Sequence, residues 1–328
     1  MPFDQFVDLA LYDQDHGFYA TVGQAGGRRG DFITSVEVGP LFAAVVADRL
    51  DQAWHDAGCP PEFRVAEAGA GVGTMFRGIH RARPACFDSL VYTLVERSTA
   101  LQSSHSSLPS NRWRSSSTLA TQDQHVILAN ELLDNLAFGI AERVANGWAP
   151  VHVVVNDHGE LALVTQPSDP TLSYLTDLAP DATAGQRAPI AAAASEWVAQ
   201  AKAQADLVVV VDYGAATRDL IARSGGWLRT YTDHIKGSDP LQNVGECDIT
   251  CDVPVDQLPQ PVVSVTQAEW LRLNGLNERV NAARATWVAR GHIGDLAAVA
   301  ARSAINEAEA LTDPDGLGAF RVLEWAQR

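Results

Sequence analysis

Val65-Ala66-Glu67-Ala68-Gly69-Ala70-Gly71-Val72-Gly73 decides how this chain is read. A short apolar run enters three glycines at alternate positions. Glycine there lets the backbone turn tightly and approach a ligand with no Cβ in the way. A dinucleotide-binding turn would place its third glycine one position later, and that position is Thr74. No Lys/His/Tyr catalytic set accompanies the turn, so a nicotinamide dehydrogenase fits poorly.

The next apolar run, Leu90 to Val95, ends at Glu96, 23 residues beyond Gly73. An acid at the tip of the second strand can accept hydrogen bonds from both ribose hydroxyls of an adenosine cofactor. The glycine spacing suits S-adenosylmethionine, which has no phosphate and needs no helix N-terminus aimed at an anion. Gly69, Gly71, Gly73 and Glu96 are therefore the candidate cofactor contacts. Glu67 closes the first strand and is a candidate for the cofactor's ammonium group; the alternative is a capping or solvated acid.

Further runs work outward from this turn. Val126-Ile127-Leu128-Ala129 and Leu207 to Val211 are continuous and apolar, as strands covered on both faces are. They end in Asn130-Glu131 and Asp212, so acids collect where an open α/β sheet places its ligand crevice. Val262 to Val265 and Phe320 to Trp325 read as later strands. Helices are expected over Val38–Trp54, Gln267–Leu273, Asn277–Ala289 and the alanine-rich Ala188–Ala205. Val151 to Val155, Asp157-His158-Gly159-Glu160 and Leu161 to Val164 read as strand, turn and strand. Gln24–Gly30 and the serine-rich Ser103–Ser117 read as loops.

Asn130-Glu131-Leu132-Leu133-Asp134 follows a buried strand. If a helical turn begins here, Glu131 and Asp134 share a face. Two carboxylates suit a cationic acceptor, because a guanidinium stays protonated and binds carboxylates in a planar fork. The bland reading is a capped helix start with a solvated acid. Asp31, Thr34 and Ser35 can cap the following helix. Asp212-Tyr213-Gly214 turns at a strand end, and Tyr231 and His234 lie in a glycine-containing segment downstream. A lone histidine is more often a surface or hydrogen-bonded residue than a functional one.

The 328 residues are 46% hydrophobic and 20% charged, a globular composition with enough apolar material for a sizeable core. The net charge of -16 disfavours nonspecific binding to nucleic acid or an anionic membrane, which rests on Lys and Arg. No run of 18 apolar residues predicts a membrane span. The first seventeen residues hold four aspartates and no Lys or Arg, unlike a secretory signal or transit peptide, and a cytoplasmic location is expected. Four scattered cysteines make no disulfide framework. Cys247 and Cys251 lack a second Cys/His pair at metal-ligand spacing, so no metal site is expected.

Taken together, these segments resemble the MidA-like S-adenosylmethionine-dependent methyltransferases, a family that includes a mitochondrial complex I assembly factor methylating arginine. The matching motifs, in order, include Leu11 to Tyr19, Gly30 to Ser35, Pro40-Leu41-Phe42, Glu67 to Gly73, Val95 to Ser98, Ala129 to Asp134, Val211 to Gly214, Tyr231 to His234, Asp248-Ile249-Thr250 and Thr266-Gln267-Ala268. They span nearly the whole chain. The resemblance implies an α/β fold: a Rossmann-like methyltransferase sheet with an antiparallel strand near the C-terminus, an N-terminal helical lid segment over 1–60, and a methyltransferase domain over 61–328 with a subdomain inserted at about 136–204. Carried over by motif, Gly69, Gly71, Gly73 and Glu96 are cofactor contacts. Asn130 and Glu131 are cleft residues between cofactor and acceptor, joined by Asp134 and His234 as the catalytic set. Asp31, Thr34 and Ser35 belong to the lid, with Tyr213 and Tyr231 on the substrate side. The family usually has Asp-Ala-Leu-Pro after the Asn-Glu pair, whereas this chain has Asp134-Asn135-Leu136-Ala137. The missing proline relaxes the chain where an acceptor would enter.

The function expected is methyl transfer from S-adenosylmethionine to a basic, arginine-containing protein. The alternatives are a small-molecule O- or N-methyltransferase of the same fold, or a cofactor-binding assembly protein with little catalysis. The chain's state, monomer or homodimer, stays open at this level.

Overall fold

β-branched and leucine-rich runs suit a pleated backbone covered on both faces. In the computed structural model these runs form the middle of a seven-stranded sheet. The structure describes residues 1–21, 34–109, 112–119, 123–223, 226–232 and 235–326. In chain order the elements begin α1 (Phe3–Tyr12), α2 (Phe18–Thr21), α3 (Ser35–Val38), α4 (Pro40–Asp56), β1 (Phe63–Ala68), α5 (Thr74–Ala82), β2 (Leu90–Val95), α6 (Thr99–Ser103), β3 (Trp113–Ser116) and β4 (Gln124–Asn130). They continue β5 (Gly139–Val144), β6 (Gly147–Val155), β7 (Leu161–Thr165), α7 (Tyr174–Leu178), β8 (Arg187–Ile190), α8 (Ala192–Gln204), β9 (Ala205–Asp212), β10 (Gly214–Ala215) and α9 (Thr217–Ala222). The remainder is β11 (Leu228–Thr232), β12 (Ile235–Gly237), β13 (Asp248–Cys251), β14 (Val253–Pro254), β15 (Val263–Thr266), α10 (Gln267–Leu273), α11 (Leu276–Arg290), α12 (Leu296–Leu311) and β16 (Arg321–Ala326).

The chain divides into two compact units. One comprises Gly26–Asn130, Gln204–Val211 and Pro261–Arg328; the other comprises Met1–Ala25, Glu131–Ala203 and Asp212–Gln260. The stretch read as an insertion, 136–204, lies in the second of these up to Ala203.

The first unit holds the large sheet, in the order β15-β16-β9-β4-β1-β2-β3. Strands β3, β2, β1, β4 and β9 run parallel, and β15 runs antiparallel to β16. Ala68 is level with Val95 on one side and Ala129 on the other. The carboxyl ends of β1, β2 and β4 therefore share one sheet edge, at the point where strand order reverses, and such a switch point opens a crevice for a ligand. Helix α4 buries Leu41, Phe42, Val45, Val46 and Leu50 in one core with Val65, Val126, Leu128 and Val209.

Helix α4 starts at Pro40 rather than Val38 because Gly39 separates it from α3. A Cβ on Gly39 would lie 2.2 Å from the Glu307 carboxyl carbon, and that carboxylate accepts the Leu41 N–H at 2.9 Å. The serine-rich segment is more ordered than a loop reading implies: it carries α6, a short 3₁₀ turn at Ser104–Ser107 and the edge strand β3. An edge strand needs no continuous apolar run, so its pattern is weak.

The second unit carries a four-stranded sheet, β7-β6-β5-β8, and a three-stranded sheet, β12-β11-β13. The expected hairpin is present, with Val155 opposite Leu161. Helix α1 buries Phe3, Phe6, Val7, Ala10 and Leu11 in a core with Phe138, Ile140, Val151 and Val153. The helix expected over Ala188–Ala205 is shorter, because Arg187–Ile190 pairs with β5 and the helix begins at Ala192. Ladder pairing outweighs the helix preference of alanine, and Pro189 has no N–H to give a helix.

Candidate active site

The glycine turn leaves β1 with a backbone that few side chains tolerate. Gly69, Gly71 and Gly73 have φ of +67°, +53° and +81°, a region open to glycine at little steric cost. A Cβ on Gly71 would meet no atom within 4 Å, so the space above that backbone is open. A Cβ on Gly73 would press on Leu108 and Leu94 at 2.9–3.1 Å, so that glycine serves packing as well. Buried His105 pins the turn from beneath: its Nε2 donates to the Gly71 carbonyl at 2.8 Å, and its Nδ1 lies 2.8 Å from the Ser115 hydroxyl. Sequence reasoning missed His105, which sits in the serine-rich segment with no motif around it.

Glu96 sits at the tip of β2 with its carboxylate fixed by two backbone donors, the N–H groups of Gly71 (2.9 Å) and Ser98 (2.8 Å). Burial pushes its pKa up, and those two N–H groups pull it back. A carboxylate has about four acceptor sites, so Glu96 keeps acceptor capacity beyond its backbone donors for a ribose hydroxyl. The open backbone above Gly71 and this oriented acid fit the adenosine half of S-adenosyl-L-methionine.

Glu67 is buried, and Tyr92 donates its hydroxyl to the Glu67 carboxyl at 2.8 Å. Burial, with a contribution from the Glu96 charge, raises its pKa to about 8, against the lowering effect of the Tyr92 hydrogen bond. Asn130 ends β4 on the same sheet edge.

In the second unit, Glu131 has φ +53°. A non-glycine residue in this region is strained, and the helical turn begins only at Leu133. Glu131 and Asp134 therefore do not lie on one helical face as the spacing alone predicts. Asp212 accepts the N–H groups of Leu133 at 2.8 Å and Tyr213 at 2.9 Å. Its own pKa is driven well up by burial and by the nearby charges of Asp134 and Glu131.

Asp134 is buried and surrounded by donors: the Tyr213 hydroxyl, the Thr250 hydroxyl at 2.9 Å and the Asn135 amide at 3.0 Å. Burial raises its pKa and these hydroxyls lower it. Tyr213 also carries the Arg229 guanidinium 4.5 Å above its ring, and Arg229 pairs with Asp252. Asn135 takes the Tyr19 hydroxyl at 2.9 Å on its side chain and the Tyr12 hydroxyl at 3.0 Å on its carbonyl. Tyr12 and Tyr19 stack at 5.2 Å. Tyr231 is buried in β11 opposite Asp248 of β13.

The structure thus gathers Glu131, Asp134 and Tyr213 with Asp212, Asn135 and Thr250, and sets Gly69, Gly71, Gly73, Glu67, Glu96 and Asn130 along the large sheet's edge. Ser35 is buried and donates to Gln267 at 2.8 Å. Thr34 caps α3, its N–H donating to Glu37 at 3.3 Å. Asp31, His234 and the Gln24–Gly30 segment lie outside the described residues. Asn135 and Arg229 escaped sequence reasoning because nothing local marks them; their partners are distant in the chain.

Comparison with known proteins agrees with this geometry. A family model, Methyltransf_28, described as "Putative S-adenosyl-L-methionine-dependent methyltransferase", matches residues 45–273. A crystal structure of a COG1565 superfamily member from Burkholderia thailandensis, bound to S-adenosyl-homocysteine, superposes with a TM-score of 0.84. It is 24% identical, over 100% of this chain and 88% of that one. A second COG1565 structure from that organism gives 0.82 at 24% identity, over 100% and 87% of the two chains. Both likenesses concern the fold. The Drosophila melanogaster protein named "Protein arginine methyltransferase NDUFAF7 homolog, mitochondrial" is 33% identical over 79 residues, 24% of this chain. The match spans only 18% of that relative's length. With most of the chain matched by the family model, and with the cofactor turn in place, this chain belongs to the MidA-like family of S-adenosyl-L-methionine-dependent methyltransferases.

Proposed function

We propose that the chain transfers the methyl group to a guanidinium nitrogen of an arginine in a protein acceptor. The observation that carries this reading is the gathering of carboxylates at the turn after β4, where Asp212 accepts the N–H groups of Leu133 and Tyr213 and the charges of Asp134 and Glu131 oppose its ionisation. Such a group of acids is stabilised by a cation, and a guanidinium keeps its charge while binding carboxylates in a fork. The name of the Drosophila relative supports the same acceptor class.

When bound, S-adenosyl-L-methionine supplies an electrophilic methyl carbon on its sulfonium. Gly69 and Gly71 allow the backbone to approach it, Glu96 takes the ribose hydroxyls, and Glu67 and Asn130 serve its amino-acid end. Glu131 would orient the acceptor guanidinium, whose methylated nitrogen would lose its proton to solvent as the donor leaves as the thioether S-adenosyl-homocysteine; alignment is the main requirement of such a transfer. Asp134 acts as a positioning residue, since its oxygens already hold Tyr213, Thr250 and Asn135.

The test incubates the full chain with isotopically labelled S-adenosyl-L-methionine and arginine-containing peptides, and locates the label by mass spectrometry. Label on arginine supports the reading. Label on a small molecule but on no peptide, or cofactor binding with no transfer at all, overturns it.

A further inference from the structure

Gly71 is held by a side chain on each of its two peptide groups. Its N–H donates to Glu96 at 2.9 Å, and its carbonyl accepts Nε2–H of His105 at 2.8 Å. The two groups flank the Gly71 Cα, so holding both sets the torsions between them. Glycine leaves those torsions loose, and here φ is fixed at +53°. Without a partner for the carbonyl, the N–H bond to Glu96 alone would not fix the turn.

The serine-rich segment supplies this hold, and it meets the turn residue by residue. His105 lies in the 3₁₀ turn at Ser104–Ser107 and takes the Gly71 carbonyl. Ser107 accepts Arg77 at 3.2 Å, and Arg77 donates to the Val72 carbonyl at 3.0 Å. Leu108, whose N–H donates to the His105 carbonyl at 2.9 Å, fills the space beside Gly73. The His105 ring is 1% exposed and stands edge-on to Trp113 at 6.2 Å. A carbonyl oxygen only accepts, so Nε2 carries the proton, and in the neutral ring Nδ1 accepts the Ser115 hydroxyl at 2.8 Å. Ser115 therefore favours the tautomer that can hold Gly71.

We infer that His105 is a positioning residue for S-adenosyl-L-methionine: its Nε2–H holds the Gly71 peptide, and through it the Glu96 carboxylate, in the arrangement that receives the cofactor. The ring is buried and a Cβ on Gly71 meets no atom within 4 Å, so His105 acts through the turn and leaves the ligand's side of it open. A site held in its binding geometry before the ligand arrives spends less of the binding energy on ordering itself. Cofactor affinity is thus set partly by a side chain in the serine-rich segment. The inference rests on the reading of Gly71 and Glu96 as cofactor contacts, and it is independent of the acceptor.

The test titrates the full chain and two variants with S-adenosyl-homocysteine by calorimetry. Asparagine places its amide nitrogen where Nδ1 lies, so His105→Asn keeps the Ser115 contact and loses Gly71. Glutamine reaches to where Nε2 lies, so His105→Gln keeps the donor to Gly71. Binding should weaken about 10-fold in His105→Asn, the size of one lost hydrogen bond, and His105→Gln should recover most of that loss. Both variants remove the ring from Trp113, so a merely structural role lowers both melting temperatures and does not separate their affinities. His105→Asn binding like wild type, or His105→Gln binding no better than His105→Asn, overturns the inference. If His105→Asn does not fold, nitrogen NMR of the wild-type histidine rings decides: a lone His105 proton on Nε2 supports the inference, and one on Nδ1 overturns it. Gly71→Val, titrated alongside, tests the underlying reading. If it binds like wild type, the turn does not hold the cofactor and the inference falls with it; if it alone loses binding, only the role of His105 fails.

Discussion

The Glu96 carboxylate accepts the backbone N–H of Gly71 at 2.9 Å, across 25 residues of chain. This bond joins the two parts of the sequence that read as a nucleoside site. It makes the glycine turn and the acid one unit, in which the backbone positions the Glu96 side chain.

Gly71→Val should abolish binding of S-adenosyl-L-methionine by calorimetry while the chain stays folded. A side chain at φ +53° costs about 1–2 kcal/mol and fills the space a ligand would use. Gly73→Ala should act differently. Its Cβ presses on Leu108 and Leu94, so it should lower stability by about 1–3 kcal/mol. Glu96→Gln should weaken cofactor binding about 10- to 100-fold, the size of a lost charged hydrogen bond. Unchanged affinity in Glu96→Gln would count against its ribose role.

Glu131→Gln should lower kcat by about 10²- to 10⁴-fold, the range over which a positioned acid or base contributes. Cofactor affinity should not change. A variant that lost affinity and kept its turnover would place Glu131 on the cofactor instead of the acceptor.

Tyr213→Phe removes a hydroxyl shared by Asp134 and Thr250. A buried carboxylate short of one donor should lower stability by about 1–3 kcal/mol. The expected kinetic signature is a raised KM for the acceptor with unchanged cofactor affinity, because Asp134 would shift without touching the glycine turn. A denaturant midpoint equal to wild type would show that the network holds nothing in place.

Glu67 links stability to pH. Its folded pKa is raised to about 8, from an ordinary value of 4.5. The folded chain thus keeps a proton that the unfolded chain has lost. This contribution is full below about pH 4.5 and declines as pH rises through about 8, with a slope of about 1.4 kcal/mol per pH unit between them. Glu67→Gln carries no such proton, so its melting temperature should fall less than that of wild type between pH 5 and pH 8. Parallel pH profiles for the two chains would mean that Glu67 is ionised when folded.

The amino-acid sequence by itself determined the parallel strands, the glycine turn and the acid of Glu96, because each rests on local chemistry: continuous apolar runs, a backbone without Cβ, and a carboxylate at a strand end. It also located the β6–β7 hairpin, whose turn residues are adjacent. Tertiary structure alone decided the rest. Gly39 breaks a helical pattern because Glu307 occupies the space beside it, 268 positions later. Arg187–Ile190 is a strand because β5 offers a ladder, and Asp134 is saturated because Tyr213 and Thr250 fold back onto it. Glu131 takes a left-handed turn that no propensity favours, next to amides held by Asp212. Contacts between residues far apart in the chain leave no periodicity to read, so these features exist only once the chain has closed on itself.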